Sequence, residues 1–149
     1  MANLNGGPLV ILLVEDNNDH AELVIRNMRS QRVANTIYHV RDGQEALDFL
    51  FHRRNFSGGE NSPHPNLILL DLRLPKIDGL EVLRTIKETE MLKRIPVVVL
   101  TSSEAETDIA RSYDHHANSY IVKPLNFEMF TRLMQDLGFY WLGWNMKPC

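Results

Sequence analysis

The sequence predicts an α/β domain built on an open parallel sheet. Two observations carry that prediction. First, three unbroken apolar runs, 9–14 (LVILLV), 67–70 (LILL) and 96–100 (PVVVL), are strand-length and rich in Leu or β-branched residues. A strand that is apolar at every position is buried on both faces, as parallel sheets covered by helices are. Second, segments with helical spacing lie between these runs, so strand and helix alternate, which calls for right-handed crossovers. At 149 residues and 44% hydrophobic content, the chain is long enough for one full hydrophobic core.

Taken in order, the first strand is 9–14, and Ala21, Val24, Ile25 and Met28 mark the helix after it. A weaker strand candidate, 35–40 (NTIYHV), precedes a second helix marked by Ala46, Leu47, Leu50 and Phe51. Residues 52–65 (HRRNFSGGENSPHP) break the rhythm; polar and rich in Gly, Ser and Pro, they read as a long surface loop. The third strand, 67–70, leads to a helix marked by Val82, Leu83 and Ile86. The fourth, 96–100, leads to Ile109, Ala110 and Tyr113. A fifth strand, 118–122 (NSYIV), leads to a helix carrying Phe127, Phe130, Leu133, Met134, Leu137 and Trp141. No internal repeat and no linker to a second domain is visible, so residues 1–149 are expected to be one domain.

Bulk properties exclude several classes. The formal net charge is −3, without the basic excess that nucleic acid or an anionic membrane surface would require. No apolar run reaches the length of a transmembrane span. The N-terminus, MANLNGG, lacks the basic and apolar regions of a secretory signal. The single cysteine, Cys149, has no internal disulfide partner and does not fit a prenylation pattern, so a reducing cytoplasm is expected.

In an open parallel sheet, ligands bind at the carboxyl ends of the strands. Strand one ends in Glu15-Asp16, strand three in Asp71, strand four in Thr101-Ser102-Ser103 and strand five in Lys123-Pro124. Carboxylates gathered on one edge repel, and a hard divalent cation relieves this; an all-oxygen site with room for water suits Mg2+. Lys123 adds positive charge and Thr101 a hydrogen bond. Together they suit a phosphoryl group, with Asp71, the central carboxylate, as nucleophile forming an acyl phosphate. Each residue also has a plainer reading: Asp16 as a helix N-cap, Asp71 as a solvated strand end, Lys123 as a surface lysine, and the serines as a helix cap. The conjunction of all of them favours the phosphoryl site.

With these residues in place, the sequence resembles the receiver domain of two-component response regulators. LLVEDN matches the acidic pair, LLDLRLPKIDG the phospho-acceptor strand and loop, VVVLTSS the switch threonine, and SYIVKP the Lys-Pro with its preceding aromatic. The resemblance covers about residues 8–138. It implies a five-stranded parallel sheet of order 2-1-3-4-5 with helices on both faces. It also implies Mg2+ held by Asp16 and Asp71, by Glu15 through water, and by the backbone carbonyl of Arg73. Asp71 would accept a phosphoryl group from a histidine kinase. Thr101, with Ser102 beside it, and Tyr120 would then reshape a protein-interaction surface.

The sequence departs from the commonest receiver pattern at three places: Glu15 stands where Asp is usual, the 52–65 loop is long, and an aromatic tail (139–149) replaces a linker to an output domain. The long loop, the lack of an output domain and the Trp-containing tail together resemble the stand-alone response regulators of cyanobacterial phytochromes, implying a phytochrome-type kinase as partner. The tail residues Phe139, Tyr140, Trp141, Leu142 and Trp144 could fold back to cap the core beneath the fifth helix. So much apolar area at the chain end nevertheless favours a homodimer through Phe139, Trp141 and Trp144, with Leu133 and Leu137 contributing if the fifth helix is used. Two alternatives are a degenerate receiver acting as a binding scaffold and a Mg2+-dependent aspartyl-phosphate phosphohydrolase. The latter needs a second Asp two residues after the first, where this chain has Arg73. The expectation is therefore a signalling protein rather than an enzyme acting on a separate substrate.

Overall fold

The computed structural model describes residues 9–29, 35–54, 63–101, 119–122 and 132. Its elements are β1 (Leu9–Val14), α1 (Asn18–Arg29), β2 (Asn35–Val40), α2 (Gly43–Leu50), β3 (Leu67–Asp71), α3 (Gly79–Glu88), β4 (Val97–Thr101) and β5 (Ser119–Val122). All strand pairs are parallel and the sheet order is β2-β1-β3-β4-β5. The α/β class and the parallel sheet agree with the sequence reading. Among the described residues no helix is long and apolar enough to cross a membrane.

Because side chains alternate along a strand, the apolar runs divide between two cores. Leu12, Val14, Ile68, Leu70, Val97 and Val99 face α2 and α3, packing with Ala46, Phe49, Leu50, Val82, Leu83 and Ile86. Ile11, Leu13, Leu67, Leu69, Val98 and Leu100 face α1 and pack with Ala21, Leu23, Val24 and Met28. Phe51, expected on the second helix, instead forms its C-cap and is half-buried. The chain then turns out of α2 around Asp48, a buried acid that accepts from Gln44 (2.9 Å) and Arg54 (3.2 Å). The residues that mark the fourth and fifth predicted helices lie outside the described residues. So do Ser102, Lys123 and the proposed interface residues Leu133, Leu137, Phe139, Trp141 and Trp144.

Lys87 ties the end of α3 to the approach of β4: its Nζ donates to the carbonyls of Lys93 (3.1 Å) and Ile95 (2.9 Å). Partial burial lowers its pKa from the ordinary 10.5. The unfolded chain therefore holds more protons between the lowered value and 10.5, and stability rises with pH across that window. Comparing wild type with Lys87→Met by urea denaturation from pH 7 to pH 10.5, we expect the difference to move in favour of wild type as pH rises. A pH-independent difference would contradict this.

Candidate functional site

β1 and β3 are neighbours, with Val14 opposite Leu70, so Glu15, the first residue past β1, and Asp71, the last residue of β3, come level at the carboxyl edge. Carboxylate oxygens of Glu15, Asp16 and Asp71 all lie within 4.8 Å of one another. Glu15 and Asp71 are buried, at 1% and 6% exposure, while Asp16 is open to solvent. At an effective dielectric near 20, like charges at that separation repel by roughly 3 to 4 kcal/mol per pair. The donor set is all oxygen and anionic, which fits a hard divalent cation entering from the Asp16 side.

Asp16 is not the helix cap. That role falls to Asn17, whose Oδ1 accepts from the His20 N–H at 3.0 Å, leaving the Asp16 carboxylate for the cluster. Glu15 is held closely: its Oε2 accepts from the Asn17 N–H (3.2 Å) and its own N–H donates to the Val40 carbonyl (3.1 Å). The His39 Nε2 lies 2.7 Å from the Glu15 carbonyl oxygen, and the His20 Nδ1 lies 3.9 Å from Glu15 Oε1. Asp71 is the last residue of β3 and is buried, so it is not a solvated strand end; its Oδ1 accepts from the Arg73 N–H at 2.9 Å.

The loop after Asp71 is fixed from two helices. Gly79, first residue of α3, donates its N–H to Leu72 O at 3.0 Å, and a Cβ there would lie 2.5 Å from the Asp71 carbonyl. Gly43, first residue of α2, lies against Ile77, where a Cβ would come within 1.9 Å of the carbonyl oxygen. Asp42 caps α2 by accepting the Glu45 N–H (2.8 Å) and reaches Lys76 Nζ (3.5 Å), which sits at a left-handed φ of 68°. Thr101 ends β4 opposite Val122, and Tyr120 lies in β5 opposite Val99, which puts both on strands beyond β3.

The sequence shows no ligand pattern among the histidines and marks Gly79 only as part of an Asp-Gly turn, so the roles of His39, His20, Gly43 and Gly79 at the site were missed. Their signal was available for His39: β2 is also a parallel strand, and its carboxyl end faces the same edge as the others.

The model of the response regulator receiver domain family matches residues 11–135. The chain belongs to that family. Over 141 residues it is 50% identical to a probable methanogenesis regulatory protein, FilR2, of Methanothrix harundinacea, covering 95% of this receiver chain and 88% of that protein. It is 44% identical to response regulator Rcp1 of Synechocystis, covering 95% of each. Among solved structures, the Mn2+-bound form of Rcp1 superposes with a TM-score of 0.86, covering 95% of the receiver and all of that chain. The phosphorylated cyanobacterial phytochrome response regulator RcpA follows at 0.85 and 40% identity, covering 96% of the receiver and all of RcpA.

Proposed function

We propose that this receiver is a phospho-acceptor signalling module in which Asp71 takes a phosphoryl group from the phosphohistidine of a kinase. The observation that carries the proposal is the convergence of Glu15, Asp16 and a buried Asp71 at the edge between two central strands. Asp71 Oδ attacks phosphorus, an O–P bond forms, the P–N bond breaks and the imidazole leaves with the electron pair. Asp16 and Asp71 would hold Mg2+ directly, with the Arg73 carbonyl as a further ligand and Glu15 acting through water. When bound, Mg2+ neutralises the carboxylates and the charge building on the phosphoryl oxygens. Thr101, Ser102 and Lys123 complete the phosphate site, and with Tyr120 they convert its occupation into a changed interaction surface.

On this reading, residues 1–149 form one receiver unit, working in the cytoplasm as a homodimer through the C-terminal aromatic residues. The likeness to RcpA and Rcp1 supports a phytochrome-type histidine kinase as the phosphoryl donor. The chemistry is self-phosphorylation and self-dephosphorylation, without turnover of another substrate.

The test is intact mass after incubation of wild type and Asp71→Asn with a small phosphodonor, with and without Mg2+. The expected result is a Mg2+-dependent gain of one phosphoryl group, roughly 80 Da and about two negative charges, in wild type alone. No adduct in either protein would leave a binding scaffold as the function.

A further inference from the structure

Glu15 carries the chain's main departure from the usual acidic pair, and β2 grips its backbone at both polar groups. Its N–H donates to Val40 O at 3.1 Å, and its carbonyl oxygen lies 2.7 Å from His39 Nε2. A carbonyl oxygen only accepts, so the His39 Nε2 carries the hydrogen and donates it. His39 stands opposite Leu13 in the strand register, two residues short of Glu15, so its ring spans the strand end to reach the turn. The contact joins residues 24 apart in sequence.

We propose that His39 is a positioning residue for the divalent-metal centre. By holding the Glu15 carbonyl, it fixes the turn between β1 and α1 that carries both Glu15 and Asp16, and so the placement of two carboxylates relative to Asp71. The inference rests on the metal reading above. Partners one layer out from metal ligands commonly account for about 10- to 100-fold in affinity. His39 acts through the backbone, which places its effect at the low end of that range.

The test uses the full chain with Mn2+ as the probe and the free-ion electron paramagnetic resonance signal as the readout. His39→Phe keeps a ring but loses the donor; His39→Gln keeps a donor. The expected result is Mn2+ binding about tenfold weaker in His39→Phe and within about threefold of wild type in His39→Gln. The metal-free proteins should melt within about 2 °C of one another, corresponding to less than roughly 1 kcal/mol. Wild-type affinity in His39→Phe, or no recovery in His39→Gln, would overturn the proposal, as would an affinity loss that tracks a fall in melting temperature. Failure of wild type itself to bind Mn2+ would instead sink the metal site on which the proposal stands.

Discussion

Asp71→Asn is expected to melt above wild type in the absence of divalent cation and below it in saturating Mg2+. The carboxylates of Glu15, Asp16 and Asp71 lie within 4.8 Å of one another, and two of the three are buried. Removing the Asp71 charge relieves two repulsive pairs, each worth roughly 3 to 4 kcal/mol at an effective dielectric near 20. Asn keeps an oxygen that can accept the Arg73 N–H, so that hydrogen bond survives. Because the Asp71 carboxylate also has favourable contacts to lose, we expect a net gain of about 1 to 2 kcal/mol, or roughly 2–8 °C for a chain of this size. Cation at a hundred times its dissociation constant stabilises the wild type by about 2.7 kcal/mol. The variant forgoes most of that, and the order inverts. Scanning calorimetry in chelator and in Mg2+ would show the crossing. A variant less stable than wild type in chelator would mean that protein groups already balance the Asp71 charge.

Gly43→Ala and Gly79→Ala are expected to destabilise the fold, against helix propensity. Both glycines open helices, where Ala is the better helix former by about 1 kcal/mol in a helix interior. At Gly43, however, a Cβ would lie 1.9 Å from Ile77 O and 2.7 Å from Ile77 C. At Gly79 it would lie 2.5 Å from both Asp71 O and Leu72 Cα. These are mainly backbone atoms, so the loop itself must move, at a cost of about 3 kcal/mol each. The two variants should also differ. Gly79→Ala presses on the peptide of Asp71 and should weaken Mn2+ binding; Gly43→Ala presses six residues further on and should spare it more. Urea denaturation and Mn2+ titration of both proteins would separate the two effects, and a stabilised variant would refute the steric argument.

The legible part of the molecule was the part written in apolar spacing. The runs 9–14 and 67–70 mark β1 and β3 to within one residue, because strands buried on both faces leave no polar position to blur their ends. The acidic cluster was legible for a related reason: Glu15, Asp16 and Asp71 interrupt those runs at their carboxyl ends. What escaped depends on approach between distant segments. Nothing in VRDGQEA indicates that Gly43 meets Ile77, nor does the alternation of NTIYHV show its histidine bonding a turn 24 residues away. Asn17 as the cap of α1 was hidden by competition, since Asp16 and Asn17 are both good capping residues and only the backbone path decides between them.

The glycine contacts give the carboxylate edge of the sheet an uneven stiffness. On one side of Asp71, the loop from Leu72 to Asp78 is pinned at its two ends, where Gly79 meets Asp71 and Leu72 and where Gly43 meets Ile77, with no room for a methyl group at either glycine. A charge added at Asp71 would meet resistance at those two points. Mechanical work delivered to the site is therefore expected to be transmitted the other way, across β4 toward the outermost strand. On the proposed reading, a receiver pinned in this way would respond in one direction, set by where it lacks compliance.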